Sequence, residues 1–416
     1  MRTSTSRSTN RIDMHITLKE FDTVCEGDLP DGRFDDLLDF ILENDYEMSS
    51  LMSLTSIKGR GRALRARNHV GVISFRDGTT IEILPKIGDH LDDDSIRTML
   101  VRMLMTVNDI PFTEQDISRM DSARMNPFEF LIRMFIREVD LIVRDGMCRS
   151  YNDVRDNEPA LRGRIDFTEN IRRNYAHRER LCQEYQILDE DRAENRLIRS
   201  TLDILYLTST DQGNRRDLNR LLSWFGIVRP SPDVERDLDA VRIDRGMEHY
   251  IQALKWCRVF LDRRSMTSSK GHNVSMAFLF PMDVLYERYI ARICRRISRG
   301  RFNVSTQDTS RHLFDERYSP QLRPDIVLRD GDRTIILDTK WKRVSGRNDV
   351  SMADLYQMYA YSKRFGTERV VLLYPYIGSE KWEYTDSVNG VNVDVRFIDM
   401  MHPERSVDEV MESLIG

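Results

Sequence analysis

The chain has 416 residues, of which 40% are hydrophobic and 31% charged, and its formal net charge is −5. This length and composition predict a soluble globular protein of about two or three domains with sizeable cores. The negative net charge is unlike that of a stand-alone DNA-binding protein, whose affinity comes largely from neutralising phosphates. Any DNA contact must therefore come from local basic patches.

No targeting or membrane segment is predicted. Residues 1–11 are polar and basic, so we expect a disordered tail rather than a secretory signal. No apolar run approaches the roughly 18 residues that a membrane span requires. The five cysteines are widely spaced, which favours a reducing cytoplasm and argues against a zinc ribbon or an iron–sulfur cluster. No glycine-rich phosphate loop with Walker spacing is present, so the chain is not expected to bind a nucleotide itself.

The first part of the chain, residues 12–167, is predicted to be a small mixed α/β module. Apolar and polar residues alternate at 12–18, which indicates a strand. The pair Asp77-Gly78 lies between two β-rich runs and predicts a hairpin. An amphipathic helix is expected at 128–143. Because this region contains no catalytic constellation, we expect it to serve in binding a partner.

The rest of the chain is predicted to form two further domains. Residues 168–265 are expected to be mostly helical, with Pro230 and Pro232 interrupting the helices. A segment rich in serine, arginine and lysine then links this region to a last domain, residues 266–416. The predicted fold class is therefore α+β and multidomain: an N-terminal mixed α/β module, a helical connecting region and a C-terminal α/β domain.

Two basic clusters are candidates for binding. The first precedes the N-terminal hairpin and contains Lys58, Arg60, Arg62, Arg65 and Arg67. It meets either DNA or an acidic partner. The second lies on a predicted helix of the last domain and contains Arg292, Arg295, Arg296 and Arg299. This second cluster is the stronger candidate for contact with DNA. For both, a merely solvated charged face stays open as the plainer interpretation.

A predicted hairpin at residues 322–343 organises the last domain. Two apolar runs flank Asp330-Gly331, a strong local signal for a turn between strands. Asp338 and Lys340 are two residues apart at the end of the second strand, so their side chains point to the same face. Asp325 stands at the start of the first strand, and the hairpin brings it beside Asp338. Two carboxylates and an ammonium group are thus expected at one end of a sheet.

This arrangement suits metal-assisted cleavage of a phosphodiester. Two carboxylates can hold Mg²⁺, or Mn²⁺, and leave positions for water and phosphate. The cation would lower the pKa of a bound water and screen charge on the phosphate. The lysine can orient the water or stabilise the charged transition state. A surface hairpin with an ordinary Asp–Lys ion pair is the alternative interpretation of this motif.

Helices on both sides of the hairpin contribute further candidates. Glu287 lies on the flank of an apolar helical stripe, where its carboxylate can reach over the sheet as a third metal ligand. Its alternative role is a solvated helix charge. Gln357 and Tyr361 are four residues apart on a later helix, hence on one face. They either touch a phosphate, hold the lysine in place, or pack with their polar tips satisfied.

Residues 280–375 resemble the core of a PD-(D/E)xK nuclease, with Pro324-Asp325 followed by Asp338-Thr339-Lys340, and the Gln357/Tyr361 helix is similar to that of the RecB-like branch. Further motifs resemble the McrC subunit of McrBC-type modification-dependent restriction systems, in the order of that family. These motifs are Val70-Gly71-Val72-Ile73, Ile83-Leu84-Pro85-Lys86-Ile87, Leu161-Arg162-Gly163-Arg164-Ile165, Asn195-Arg196 and Phe280-Pro281-Met282-Asp283. The resemblance spans about residues 65–375.

The resemblance implies roles for the candidate residues. Asp325 and Asp338 would be metal ligands, Lys340 the catalytic lysine and Glu287 an extra ligand. The supporting residues would be Gln357, Tyr361 and Lys342. Lys342 shares a strand face with Lys340 and would contact the DNA backbone.

The resemblance also implies partners. They are a GTP-hydrolysing AAA+ hexamer that carries the nucleotide site, and double-stranded DNA that is cut when two nuclease domains meet. The amino-terminal module would dock on the hexamer and stimulate its GTPase. A finger entering an AAA+ pore would need basic or polar tips. The candidates for partner contact are therefore Arg60, Arg62, Arg65 and Lys86.

Two other classes of function stay open. In one, the chain is an interaction protein that activates the NTPase without cutting. In the other, it is a stand-alone RecB-like nuclease. The modified base that is recognised, the oligomeric state and the residue that stimulates the GTPase do not follow from the sequence.

Overall fold

The structure, a computed structural model, describes residues 14–43, 51–75, 77–87, 91–113, 127–261, 266–267, 274–298, 300–315, 320–331, 333–376, 383–388 and 390–415. The predicted N-terminal tail lies outside these residues. The chain divides into two compact units. The larger combines residues 1–128 with 264–416, and the smaller comprises residues 129–263. In the described part of the chain, no helix has the length and apolar character needed to cross a membrane.

Strands predominate in the N-terminal part of the larger unit. Its elements are β1 (His15–Lys19), β2 (Thr23–Cys25), α1 (Arg33–Glu43), β3 (Met52–Ile57), β4 (Gly61–Ala66), β5 (His69–Phe75), β6 (Thr80–Leu84) and α2 (Asp93–Val107). Strands β2, β4 and β3 form a small antiparallel sheet. The predicted hairpin is confirmed, because β5 and β6 pair antiparallel and Gly78 takes a φ of +98° between them.

The middle of the chain contains a strand-rich segment at residues 150–189, called the β-arm below, and a group of helices. Its elements are α3 (Pro127–Asp145), β7 (Ser150–Glu158), β8 (Arg164–Ile165), α4 (Phe167–Arg173), β9 (Leu181–Asp189), α5 (Ala193–Thr208), α6 (Gln212–Trp224), α7 (Val234–Ala240) and α8 (Ile251–Leu261). The amphipathic helix expected at 128–143 is present as α3. The described residues of 168–265 are mostly helical, as predicted, but they include strand β9, which pairs with β7 along nine residues.

The C-terminal part of the larger unit is built on a six-stranded sheet. Its elements are β10 (Met266–Thr267), β11 (Val274–Pro281), α9 (Met282–Ser298), β12 (Asn303–Thr306), β13 (Ile326–Asp330), β14 (Arg333–Thr339), α10 (Met352–Phe365), β15 (Arg369–Tyr376), β16 (Tyr384–Val388), β17 (Val391–Asp399) and α11 (Pro403–Ile415). The strand order is β12-β13-β14-β15-β17-β16, and the central pairs β14–β15 and β15–β17 are parallel. Helix α10 packs on β14, β15 and β17, while α9 contacts β12 and β14.

A second sheet joins the two ends of the chain. Its order is β1-β6-β5-β11-β10, so strand β11 from the C-terminal part pairs antiparallel with β5 from the N-terminal part. The predicted boundaries at 167 and 265 therefore differ from the compact units. Residues up to 128 of the predicted N-terminal module share a sheet with the last domain and belong to the same unit, whereas residues 129–167 belong to the smaller unit. Pairing between strands some two hundred residues apart leaves no local signature, which is why consecutive domains were expected.

Gly71 permits this shared sheet. Its φ is +140°, and a Cβ built on it would lie 1.9 Å from the carbonyl oxygen of Phe278 on β11. A side chain here would meet both an unfavourable backbone conformation and a rigid neighbouring backbone. We expect Gly71→Ala to lower the free energy of unfolding of the full chain by about 3 kcal/mol or more, measured by urea denaturation.

A matched control is Gly27→Ala in the same unit. Gly27 has no heavy atom within 4 Å of its hypothetical Cβ and no positive φ. Its replacement should change the free energy of unfolding by less than about 0.5 kcal/mol. Equal small effects at both glycines would contradict the close approach of β5 to β11.

Candidate active site

Hairpin β13–β14 brings the predicted acids to one end of the six-stranded sheet. The strands pair antiparallel with Ile326 opposite Leu337, so Asp325 and Asp338 come next in the register. Asp325 Oδ2 accepts hydrogen bonds from the backbone N–H of Thr339, at 2.8 Å, and from its hydroxyl, at 2.7 Å. These two bonds fix the Asp325 carboxylate against the end of β14. The predicted hairpin is thus confirmed.

A chain of polar contacts runs from β14 to α10. Lys340 Nζ lies 2.5 Å from Asp338 Oδ2 and donates a hydrogen bond to Gln357 Oε1 at 3.0 Å. Gln357 Nε2 in turn donates to the phenolic oxygen of Tyr361 at 2.8 Å. The structure therefore brings together the acid, the lysine and both residues predicted on the flanking helix. Gln357 orients the ammonium group, and Tyr361 orients the amide.

Asp338 is buried, Asp325 is half-buried, and their carboxylates repel each other. Asp338 is 1% exposed, and burial together with the charge of Asp325 raises its pKa to about 7 in spite of Lys340. Burial likewise raises the pKa of Asp325. Burial by itself would lower the pKa of the Lys340 ammonium group. The attraction of Asp338 opposes this effect, and the pKa is raised. The positive charge of Lys340 therefore does not bring the pKa of Asp338 down to its ordinary value.

Asp338 Oδ2 has an incomplete set of partners. Within the described residues it accepts no aligned hydrogen bond, although the Lys340 ammonium lies close to it. This contact is therefore an ion pair without the direction of a hydrogen bond. A buried carboxylate oxygen in this condition is costly unless another positive group reaches it. The end of β14 is consequently a suitable place for a cation.

Glu287 lies on α9, on the Asp325 side of the site. Burial and the negative charge of Asp325 raise its pKa. Gln307 donates a side-chain hydrogen bond to Glu287, and its backbone N–H donates to the carbonyl oxygen of Asp325 at 3.0 Å. In the described part of the chain, no three Asp, Glu, His or Cys side chains are grouped tightly enough to hold a metal ion. Ligation by Glu287 stays a prediction.

Lys342 contacts an acidic residue that was not predicted from the sequence. Its ammonium group lies 2.9 Å from Asp354 Oδ2, in the first turn of α10. Asp354 is buried and also accepts a hydrogen bond from Tyr374 at 3.3 Å. A carboxylate among the core-facing residues of α10 was the available signal. The predicted contact of Lys342 with a DNA backbone stays untested.

Trp341 ties the site to the N-terminal sheet. Its indole N–H donates to Glu20 Oε2 at 3.0 Å, and its ring centroid lies 5.3 Å from that of Tyr286. Burial raises the pKa of Glu20 to about 7, although hydrogen bonds from Trp341 and from the backbone of Lys86 act in the opposite direction. The residue next to the candidate catalytic lysine is therefore anchored to Glu20, which directly follows strand β1. No local pattern predicts a contact across 321 positions.

The predicted DNA-binding arginines on α9 are partly engaged by the protein. Arg292 pairs with Asp109, and Arg296 pairs with Glu404. Arg295 donates to the hydroxyl of Thr306 at 2.7 Å. Arg299 lies outside the described residues. The role of this cluster in DNA binding stays a prediction.

The predicted partner-binding residues also have contacts within the chain. Arg60 pairs with Asp28 at 2.6 Å, and Arg62 bridges Glu26 at 2.7 Å and Asp35 at 2.9 Å. Arg65 donates to the carbonyl oxygen of Phe21 at 3.1 Å. The backbone N–H of Lys86 donates to Glu20 at 3.0 Å. Intramolecular ion pairs thus occupy much of this basic surface, and its contact with a partner stays untested.

Comparison with known proteins places the chain in a family. The family model described as McrBC 5-methylcytosine restriction system component matches residues 64–375. This chain belongs to that family. The family expected from the hairpin and upstream motifs is thereby confirmed, and the match includes both candidate metal-binding acids and the lysine.

Relatives and solved structures agree with this assignment. The Escherichia coli (strain K12) type IV methyl-directed restriction enzyme EcoKMcrBC is 25% identical over 278 residues, which are 60% of this chain and 77% of the relative. A solved half-complex of Thermococcus gammatolerans McrB AAA+ hexamers with bound McrC aligns with a TM-score of 0.69 and 19% identity, covering 96% of this chain and 100% of that one.

The cryo-EM structure of the Thermococcus gammatolerans McrBC complex aligns with a TM-score of 0.50 and 20% identity. It covers 68% of this chain and 88% of that chain. At these identities the structural likeness supports the fold alone. This chain therefore shares its mixed α/β fold, with several sheets, with a chain of the solved half-complex of McrB hexamers with bound McrC.

Proposed function

We propose that this chain is the DNA-cutting subunit of a McrBC-like restriction complex in the cytoplasm. It is a Mg²⁺-dependent endonuclease with a PD-(D/E)xK core that cleaves modified foreign DNA and stimulates the GTPase of an AAA+ partner. The observation that carries this proposal is the Asp325–Asp338 pair, with Asp338 buried, beside Lys340 at the end of β14. Membership of the restriction-system family supports DNA as the substrate.

The carboxylate pair fits a divalent cation. Asp338 Oδ2 has no aligned hydrogen-bond donor among the described residues, and the negative charge of Asp325 raises the pKa of Asp338. Oxygen ligands from Asp325 and Asp338 are those that Mg²⁺ and Mn²⁺ prefer. When bound, the ion supplies a Lewis acid that lowers the pKa of water and screens the charge of the scissile phosphate.

The protein's own residues then position the reacting groups. The hydroxyl and N–H of Thr339 keep the Asp325 carboxylate directed at the end of β14. Gln357 holds the Lys340 ammonium group beside Asp338, where it can donate to a phosphate oxygen or to the attacking water. Because the site is buried on the protein side, this positive charge acts in a medium of low polarity and is more effective than it would be in water.

The β-arm formed by β7, β8, α4 and β9 is the proposed surface for the AAA+ partner. The interior of the arm is polar. The buried amide of Asn174 donates a hydrogen bond to Asn157 at 2.8 Å, and the buried side chain of Gln183 accepts one from the backbone of Arg162 at 2.6 Å. The outside is mixed, with exposed charged residues such as Arg155 and Arg172 interspersed with exposed apolar side chains. The exposed apolar side chains are those of Tyr151, Leu161, Phe167, Ile171, Tyr175 and Leu188.

These exposed apolar side chains favour a protein partner. Exposed apolar side chains gathered on one element mark interaction surfaces, and burying them is favourable by about 25 cal/mol per Å². The solved relative of similar fold is bound to AAA+ hexamers, which identifies the class of partner. The arm is a better candidate than the basic N-terminal cluster, because the charges of Arg60 and Arg62 are already paired within the chain.

A plasmid-cleavage assay tests the proposal. Methylated plasmid is incubated with Mg²⁺ and this chain, with or without a cognate AAA+ protein and GTP. We expect cleavage only when both are present. Cleavage by the chain alone would instead indicate a stand-alone nuclease. Stimulation of GTP hydrolysis without cleavage would indicate an activating subunit.

A further inference from the structure

A polar groove of about 570 Å³ opens beside Glu287, on the α9 side of the candidate active site. Its lining includes Glu287 and Gln307 together with the basic residues Arg288, Arg292, Arg295 and Arg323. Four arginines and one acid are among the lining residues, and the groove reaches the acid site through that acid, Glu287. This surplus of positive charge calls for an anionic occupant.

Two of the four arginines, Arg288 and Arg323, are exposed and have no ion-pair partner among the described residues. The positive charges of Arg288 and Arg323 each lower the pKa of Glu287, but burial and the negative charge of Asp325 raise this pKa by more. The other two, Arg292 and Arg295, are already bound to Asp109 and Thr306. Arg288 and Arg323 are therefore free to bind a ligand.

The row of arginines on α9 is long enough to follow several nucleotides of a DNA strand. Arg288, Arg292 and Arg295 are separated by four and three residues, so they share one face of the helix. The row extends for roughly 10 Å at 1.5 Å per residue. This length covers about three nucleotide steps of a DNA strand, each about 3.4 Å along the duplex axis.

Gln307 joins the groove to the acids. It takes a left-handed backbone conformation, with φ +52°, which is uncommon for a residue other than glycine. In this conformation its N–H donates to the carbonyl oxygen of Asp325 at 3.0 Å while its side-chain amide donates to Glu287. The floor of the groove is thus fixed to the start of β13. A strand lying in the groove would continue directly to Asp325 and Asp338.

We propose that this groove binds the sugar–phosphate backbone of the DNA strand beside the scissile phosphate, and that Arg288 and Arg323 contact its phosphates. This inference rests on the proposed nuclease function and assigns DNA contact to residues that the sequence reasoning did not select. It also gives a reason for the pairing of Arg292 with Asp109, which holds the middle of the row in place.

The test measures binding of a fluorescent DNA duplex to the full chain carrying Asp338→Asn, over a range of salt concentrations. Adding Arg288→Ala and Arg323→Ala should weaken binding at least about tenfold. It should also reduce the slope of log affinity against log salt by about 2, since each phosphate contact contributes about 0.9. Lysine at both positions keeps the charges and should restore most of the slope.

Arg405→Ala is the matched control, because Arg405 is an exposed arginine of the same unit that pairs with Glu409 on α11. It should leave affinity and slope unchanged. Binding of the Arg288/Arg323 variant that equals the parent, or a parent that does not bind DNA, would overturn the groove proposal. The proposed nuclease function fails by a different result, namely undiminished cleavage by the Asp338→Asn chain with its partner.

Discussion

Replacement of Asp338 by asparagine is expected to abolish DNA cleavage while GTPase stimulation persists. Asparagine keeps the volume of this buried side chain, so the six-stranded sheet should form normally. It removes one of the two carboxylate charges that would hold the divalent ion, together with the partner of the Lys340 ammonium group. We expect the rate of cleavage to fall at least about a thousandfold, or about 4 kcal/mol in activation free energy.

The control for this variant lies on the same hairpin. Asp330 is exposed at the turn, at the opposite end of β13 and β14 from the site. Asp330→Asn removes the same charge from the same element and should cleave like the parent in the presence of Mg²⁺, GTP and the AAA+ protein. Cleavage by Asp338→Asn within a few-fold of that control would refute the assignment of Asp338.

The second large effect is expected on the β-arm. Phe167 and Ile171 lie four residues apart on α4, and their side chains are 70% and 72% exposed. Introducing aspartate at both positions would place two charges in the interface proposed for the AAA+ partner, where they could not be solvated. The concentration of the chain required to stimulate the partner's GTPase should rise about thirtyfold or more, equivalent to about 2 kcal/mol.

Leu207→Asp provides the comparison. Leu207 is 71% exposed at the end of α5, in the same compact unit but outside the arm. The same substitution at this equally exposed apolar position should leave the GTPase titration unaltered. If Leu207→Asp and the Phe167/Ile171 variant stimulate the partner equally, the arm is not the docking surface.

The hairpin that carries the site was predictable because its signals are local. An Asp-Gly turn and period-two alternation are sufficient to place Asp325 beside Asp338 and to set Lys340 on the same face. The spacing of Gln357 and Tyr361 on one helix similarly predicts that they act together, and a hydrogen bond of 2.8 Å joins them.

Contacts distant in sequence were beyond this reasoning. The pairing of β11 with β5 and the bond from Trp341 to Glu20 join segments that no turn or periodicity relates. The β-arm was missed for another reason. Of its strand residues, only Cys182 and Gln183 are buried, so the strands lack the usual alternation of a strand with one buried apolar face.

Gly163 shows how a motif can indicate a family before its physical reason is visible. A Cβ on this residue would lie 2.3 Å from the carbonyl oxygen of Glu184, on β9. Only glycine therefore allows the Leu161-Arg162-Gly163-Arg164-Ile165 segment to lie against that strand. The motif thus maintains the shape of the arm proposed to bind the partner, an interpretation that required the structure.

The most direct measurement is anomalous diffraction from crystals of the full chain soaked in Mn²⁺. If an acidic pair at the end of β14 holds the divalent ion, a strong peak will lie between the two carboxylates, roughly 2 Å from an oxygen of Asp325 and of Asp338. Absence of that peak at saturating Mn²⁺, or a peak remote from both residues, would contradict the proposed metal site and the cleavage chemistry built on it.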